Sequence, residues 1–271
     1  MSASQHTQEY TVLDGRLSPS SEATIPATDE GFLRGDGVFE VLRSYAGHPF
    51  ALTEHVQRLL RSAQGIRLSE VDVLAIEREV GQLVEARGGD DFAIRIVLTR
   101  GGRRLVMSEP LGHYPPSVRL ALVQYQPTLV LDGYKTLSYA ANMLTNRLAK
   151  ERGFDEALLV TPGGEVLESP TASLFWSPDG ETLVTPTLDG ILASITRAVL
   201  LEGMPIEERV TTRDELAAAT EVFLCSSVRE VQAVGAIEET VYDTPGPLTT
   251  RAKAVLAAAV KARVAAGSCE S

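Results

Sequence analysis

Lysine is scarce in this chain. Of its 25 basic residues only Lys135, Lys150, Lys253 and Lys261 are lysine; the others are arginine. Lys150 stands in R-L-A-K-E-R at a helix end, and Lys253 and Lys261 stand in an alanine-rich terminal helix, where all three read as solvated charges. Lys135 alone has an apolar-aromatic frame, Y-K-T-L-S-Y. An amine can lose its proton and act as a nucleophile, whereas a guanidinium cannot. On composition alone, an ordinary surface lysine beside a helix explains Lys135 equally well.

Other absences narrow the class. There are two cysteines, Cys225 and Cys269, too far apart for a metal-ligand spacing or a disulfide framework. Positive charge is in deficit, 25 Lys and Arg against 36 Asp and Glu, giving a net charge of -11. A nucleic-acid partner needs a cationic face, so the net charge argues against that class. No apolar run reaches bilayer length, and M-S-A-S-Q-H-T-Q-E carries no basic-then-apolar signal pattern, so the expectation is a cytoplasmic protein with no membrane contact. No internal repeat appears, and low complexity is confined to the alanine-rich tail. With 44% hydrophobic and 23% charged residues over 271 positions, the chain is globular, of a size between one large domain and two ordinary ones.

Along the chain, residues 1 to about 8 read as a frayed terminus, and Asp14-Gly15 within Tyr10 to Leu17 as a hairpin turn. In D-E-G-F-L-R-G-D-G-V-F-E-V-L-R-S-Y, Gly35-Asp36-Gly37 gives a tight backbone path. Val38 to Tyr45 follows as a strand, with Phe39 and Val41 on one face and Val38, Glu40 and Leu42 on the other. From Thr53, a candidate cap, a helix buries Val56, Leu59, Leu60 and Ala63; Arg58 lies four residues after Glu54, the spacing of a helical ion pair. A second helix covers about Val71 to Arg87. In F-A-I-R-I-V-L-T-R-G-G-R-R, Arg95 on a strand and Arg103 or Arg104 in the loop after it could hold a substrate carboxylate or simply be solvated. Ser117 to Tyr125 is a further strand.

Residues 126–133 have weak periodicity and divide two α/β halves, a small N-terminal domain over 1–125 and a larger C-terminal one over 134–271. Ser138 to Arg152 is helical, with Ala141, Leu144 and Leu148 on one stripe. Two strands, Glu156 to Val160 and Glu165 to Ser169, flank Pro162-Gly163-Gly164. Glu168 shares a face with Val166, so its carboxylate requires a cleft or a cationic partner. A helix starting near Ile195 leaves the amides of Ile195 and Thr196 open to an anion, an arrangement every helix start offers. Thr212 and Glu215 form a capping box. Ser226-Ser227, after the strand E-V-F-L-C, is either a second phosphate cradle or a tight polar turn. A terminal helix runs from about Leu248 to Ala266.

Eight motifs in order, G-D-G-V-F-E, E-H-V-Q-R-L, K-T-L-S-Y, D-E-A-L-L-V, G-E-V-L-E, S-L-F-W, I-L-A-S-I-T-R and S-S-V-R-E-V, resemble the fold-type-IV pyridoxal-phosphate enzymes over about residues 28 to 235. That family includes branched-chain aminotransferases, D-amino-acid aminotransferases and aminodeoxychorismate lyases. The resemblance implies a two-domain α/β (α+β) fold, with a small N-terminal domain and a larger C-terminal one built on a mixed, barrel-like sheet, assembled as a homodimer. It implies that Lys135 carries pyridoxal 5'-phosphate covalently and moves the substrate proton, and that Glu168 faces the pyridine nitrogen. Arg58, Ile195 with Thr196, and Ser226 with Ser227 would bind the phosphate. Leu192 would lie on the ring, Tyr139 would reach its phenolic oxygen, and Phe39 would line the substrate pocket; no metal is implied.

Ser138, Ser173 and Ser194 depart from the asparagine, asparagine and glycine common at those places in the family. Glu40 after Phe39 and Arg95 resemble the aminotransferases, and Arg95 matches a carboxylate-binding arginine of the branched-chain enzymes. D-E-A-L-L-V, A-S-L-F-W and the chain length resemble the lyases. The expectation is an aminotransferase using an amino donor and a 2-oxo acid acceptor. The alternative is the lyase that releases pyruvate and 4-aminobenzoate from aminodeoxychorismate, and a non-catalytic binding protein on the same fold is more remote. Retention of Lys135, Glu168 and Arg58 together argues against the last.

Overall fold

The computed structural model describes residues 8–68 and 70–267, so most of the expected frayed terminus, and Cys269, lie outside the described residues. The chain forms two compact units: one runs to Leu111 and also takes Tyr134–Ser138, and the other comprises Gly112–Gly133 and Tyr139–Ala265.

The first unit is an antiparallel sheet with two long helices. Its strands are β1 (Tyr10–Leu13), β2 (Arg16–Pro19), β3 (Gly37–Tyr45), β4 (His48–Pro49), β5 (Phe92–Thr99) and β6 (Arg104–Glu109), ordered β2-β1-β6-β5-β3-β4. Asp14-Gly15 and Ala46-Gly47 turn their hairpins with positive φ at both residues, as tight two-residue hairpins require. The short helix α1 (Glu30–Arg34) precedes β3; α2 (Leu52–Gly65) and α3 (Val73–Arg87) separate β4 from β5. Val56, Leu59 and Ala63 of α2 and Ile76, Val80 and Leu83 of α3 bury against Val38, Leu42, Ile94, Ile96 and Val106. Two local expectations change. Thr53 does not cap α2, because Ala51 in a left-handed conformation turns the chain straight into the helix at Leu52. The arginine-rich loop after β5 is short, and Arg104 already belongs to β6, whose Val106 is core.

The second unit holds a ten-stranded mixed sheet. Its strands are β7 (Ser117–Gln124), β8 (Glu156–Val160), β9 (Glu165–Val166), β10 (Ser173–Ser177), β11 (Leu183–Thr185), β12 (Ile206–Glu208), β13 (Thr211–Thr212), β14 (Glu221–Ser226), β15 (Glu230–Ile237) and β16 (Thr240–Val241). The order is β12-β11-β10-β14-β15-β7-β8-β9-β13, with β16 on β15; the β15–β7, β7–β8 and β11–β12 pairs are parallel. Strand β8 is buried on both faces: Leu158 packs with Leu120, Leu174 and Trp176, while Ala157 and Leu159 pack with Ala149, Leu167 and Ile191. Four helices complete the unit: α4 (Ala140–Glu151), α5 (Ile195–Gly203), α6 (Arg213–Ala217) with the expected Thr212–Glu215 capping box, and α7 (Pro247–Gly267). On α4 the buried positions are Thr145 and Ala149, whereas Leu144 and Leu148 of the apolar stripe are 48% and 40% exposed.

Candidate active site

In the first unit, the residues around Lys135 lie extended along β3 rather than in a helix. Phe39 N–H donates to the Lys135 carbonyl at 3.1 Å, Leu137 N–H donates to the Gly37 carbonyl at 2.9 Å, and Val38 and Thr136 form a β-bridge. The backbone N–H of Lys135 donates to Ser62 Oγ on α2 at 3.0 Å. This approach explains G-D-G. A Cβ at Gly37 would stand 2.4 Å from the Leu98 carbonyl and 2.6 Å from Leu137, and Gly35, with φ at 68°, abuts the Ser138 backbone. Gly65 does the same on α2, where a Cβ would strike the Tyr134 ring at 2.3 Å. The half-buried lysine is thus held at its backbone on both sides, and its Nζ lies 4.5 Å from the centroid of the Phe39 ring. The roles of Ser62 and Gly65 were not read from sequence; small residues one turn apart on α2 were the available signal.

Arg58 does not rest on helical spacing alone. Its Nε and Nη2 donate to both oxygens of Glu40 at 2.7 Å, a two-pronged bond inside the protein. His55 Nδ1 lies 2.8 Å from Glu40 Oε2, and all three side chains are buried. Burial opposes the charge on Glu40, but the Arg58 guanidinium and the His55 contact outweigh it and hold the carboxyl at about 2. Burial pushes His55 below its ordinary value despite Glu40. An ionised carboxylate accepts only, so a neutral His55 presents Nδ1–H to it. Neither Glu40 nor His55 was singled out for this role from sequence.

The other candidate arginines of this unit have acid partners. Arg95 forks onto Glu109 at 2.5 and 3.0 Å, with its guanidinium carbon 5.3 Å from the Phe39 ring. Arg103 pairs with Asp14 at 2.7 Å, and Arg104 forks onto the buried Glu79 at 2.6 and 2.7 Å. Phe39, Arg58, Arg95, Arg103 and Lys135 therefore share this unit.

The second unit carries Tyr139, Glu168, Leu192, Ile195, Thr196, Ser226 and Ser227. Glu168 lies just past β9, half-buried, with its carbonyl accepting from Leu159 N–H at 3.0 Å. Its Oε1 accepts the Leu192 amide at 3.0 Å, so an amide partner answers the demand its burial creates. Tyr139 donates its hydroxyl to the Pro170 carbonyl on the same turn. At the start of α5, Ser194 Oγ accepts the Arg197 amide at 3.2 Å, which leaves the first-turn amides of Ile195 and Thr196 with no carbonyl of their own helix to bond. Both residues are buried, and the departure from glycine at Ser194 is thereby an N-cap. Ser226 ends β14 and its Oγ accepts Arg229 N–H at 3.4 Å across the turn that holds Ser227. Among the described residues no group of His, Cys, Asp and Glu could hold a metal.

This donor set fits a phosphorylated pyridine cofactor: first-turn amides and a serine turn suit an anion, and a fixed carboxylate suits a ring N–H. Sequence comparison agrees. The family model for amino-transferase class IV matches residues 37–237. A putative branched-chain-amino-acid aminotransferase of Methanocaldococcus jannaschii is 29% identical over 271 residues, covering 89% of this chain and 93% of that protein. A D-alanine aminotransferase of Bacillus licheniformis is 29% identical over 270 residues, covering 90% and 95%. The solved fold IV-transaminase of Curtobacterium pusillum superposes with a TM-score of 0.85 at 29% identity, covering 93% of this chain and 98% of that one. The chain belongs to the class IV aminotransferase family, with the two-domain α+β fold of the fold-type-IV enzymes. It is an enzyme of the transaminase class, and the lyase alternative has no better support.

Proposed function

We propose that this chain is a pyridoxal-phosphate-dependent aminotransferase that passes an amino group from an amino acid or amine to a 2-oxo acid, with Lys135 as the residue that holds the cofactor and moves the proton. The observation that carries the reading is the half-buried lysine whose backbone is bonded on one side to Ser62 and on the other to Phe39 of β3. A flexible surface lysine needs no such fixing, whereas an amine that gives and takes a proton at one carbon must be positioned.

When bound, pyridoxal phosphate supplies a carbonyl for the donor nitrogen and a pyridine ring that takes up electrons. The chain's own residues do the rest. Glu168, fixed by the Leu192 amide, holds a proton on the ring nitrogen. Arg58, the amides of Ile195 and Thr196, and Ser226 with Ser227 bind the phosphate. Tyr139 approaches the phenolic oxygen, Leu192 covers the ring, and Phe39 lines the substrate side. Arg95 and Arg103 reach a substrate carboxylate only in competition with Glu109 and Asp14.

We also propose a cytoplasmic homodimer. Leu144 and Leu148 on α4, with Leu129 and Val130 nearby in sequence at 86% and 78% exposure, are apolar side chains that a second copy would remove from water.

Purified enzyme supplied with pyridoxal phosphate should be yellow and should bleach with borohydride, leaving a reduced cofactor adduct on Lys135. Lys135→Ala should fold, accept no such adduct and lose turnover. Colourless wild type, or substantial turnover by Lys135→Ala, would refute the assignment. Pyruvate release from aminodeoxychorismate, with silence toward every amino donor, would make it the lyase.

A further inference from the structure

A buried arginine in the second unit is only partly used by the protein. Arg229 sits on the turn after Ser227, with 5% of its side chain exposed. Its Nη2 reaches both oxygens of Glu156, at 3.0 and 2.8 Å, and Thr171 Oγ1 at 3.2 Å. Its Nε and Nη1 are buried and have no hydrogen-bond partner among the described residues. No other arginine there leaves two nitrogens in that state. Glu156 is meanwhile crowded: its Oε1 also accepts Ser169 Oγ at 2.5 Å and Thr171 Oγ1 at 3.1 Å. Glu156 thus meets the guanidinium at one nitrogen only, while its Oε1 is shared with two hydroxyls. Unmet donors on a buried cation are costly, and a ligand acceptor removes the cost.

The location gives this meaning. The Arg229 amide bonds Ser226 Oγ, and its guanidinium bonds Thr171, three residues after Glu168. The guanidinium therefore belongs to the same turn and hairpin that carry the proposed phosphate and ring-nitrogen ligands. Tyr114 packs over it, 5.5 Å from ring centroid to guanidinium carbon, and is itself 37% exposed.

We propose that Arg229 receives the carboxylate of the amino donor, so that the enzyme selects amino acids over amines that lack a carboxylate. The proposal rests on the aminotransferase reading and deepens it; it moves the carboxylate from Arg95 and Arg104, whose forks are filled, and Arg103, with one buried nitrogen unpartnered, to the arginine with two.

Calorimetric titration of the holoenzyme with 4-methylpentanoate, a carboxylate without an amino group, reads the receptor without turnover. Arg229→Met should weaken binding about 30-fold, which is about 2 kcal/mol at 1.4 kcal/mol per tenfold. Glu156→Gln leaves the guanidinium in place and removes its competitor, so binding should be unchanged or tighter. If Arg229→Met does not fold, Arg229→Lys takes its place: the single ammonium stays with Glu156, and binding should fall about tenfold. Three results overturn the proposal. They are wild-type affinity in the arginine variant, no binding by wild type, and a loss in Glu156→Gln as large as in the arginine variant, which is what a structural brace would give. Failure of the aminotransferase reading would show separately, as wild type that takes up no lysine-bound cofactor.

Discussion

Glu40→Gln tests the buried cluster behind Arg58. The carboxyl is held at about 2 against an ordinary 4.5, and it is fully buried, so solvent does not screen the interaction. At about 1.4 kcal/mol per pH unit the ionised form contributes roughly 3 kcal/mol to folding at pH 7. The pKa is depressed in the folded state, so this contribution is complete well above 4.5 and is lost as pH falls through 2. It should shrink to about 2 kcal/mol by pH 3.5, where the unfolded chain already binds the proton. The amide of Gln keeps one acceptor but turns an NH2 toward the guanidinium, removing one of the two bonds of the fork and its charge, a defect of the same order. Urea unfolding followed by far-UV circular dichroism at the two pH values, wild type against variant, measures both numbers. A difference under 1 kcal/mol at pH 7, or one that does not narrow on acidification, would refute the reasoning. The variant should also bind pyridoxal phosphate more weakly, because an unclamped guanidinium loses the orientation that a phosphate ligand needs.

Glu168→Gln should retain the Leu192 contact, since an amide oxygen also accepts, and so should unfold within about 1 kcal/mol of wild type. Its turnover should fall roughly 100-fold or more in an amino-donor half-reaction followed by absorbance, the scale of losing one aimed charge at a reacting group; near-wild-type turnover would remove Glu168 from the ring nitrogen. Leu148→Asp on α4 should convert the proposed dimer to monomer in sedimentation velocity with helix content intact, and an unchanged sedimentation coefficient would place the contact elsewhere.

Patterns carried by one segment were legible in the sequence. The Asp14-Gly15 hairpin, β3, β5, α3, the Thr212 capping box and β14 all announce themselves through turn chemistry or periodicity within about fifteen residues, and all form close to the expected bounds. Segments whose conformation is set from elsewhere were not. The stretch 134–138 leads into the helix expected from Ser138, yet β3 captures it as an added extended segment because Gly35 and Gly37 let the backbones approach. Beyond β9 the hairpin stays bonded through Leu159 and Glu168 without regular strand geometry, so Glu168 sits on a coil whose side chain is fixed by a loop more than twenty residues on.

Charge partners are the harder case, and the arginines show why. Spacing offered Arg58 a helical neighbour, Glu54; folding supplies Glu40, eighteen residues upstream on a strand, with geometry that a surface pair does not match. Arg95, Arg103 and Arg104 looked available because their acids, Glu109, Asp14 and Glu79, come from other strands, a turn and a helix. A lone sequence prices each guanidinium by its neighbours along the chain, but its capacity to take a ligand depends on how many of its donors the fold has already spent. Counted that way the order changes: Arg95 and Arg104 each spend two nitrogens on a carboxylate, Arg103 keeps one buried nitrogen without a partner, and Arg229, which spacing gave no reason to single out, keeps two.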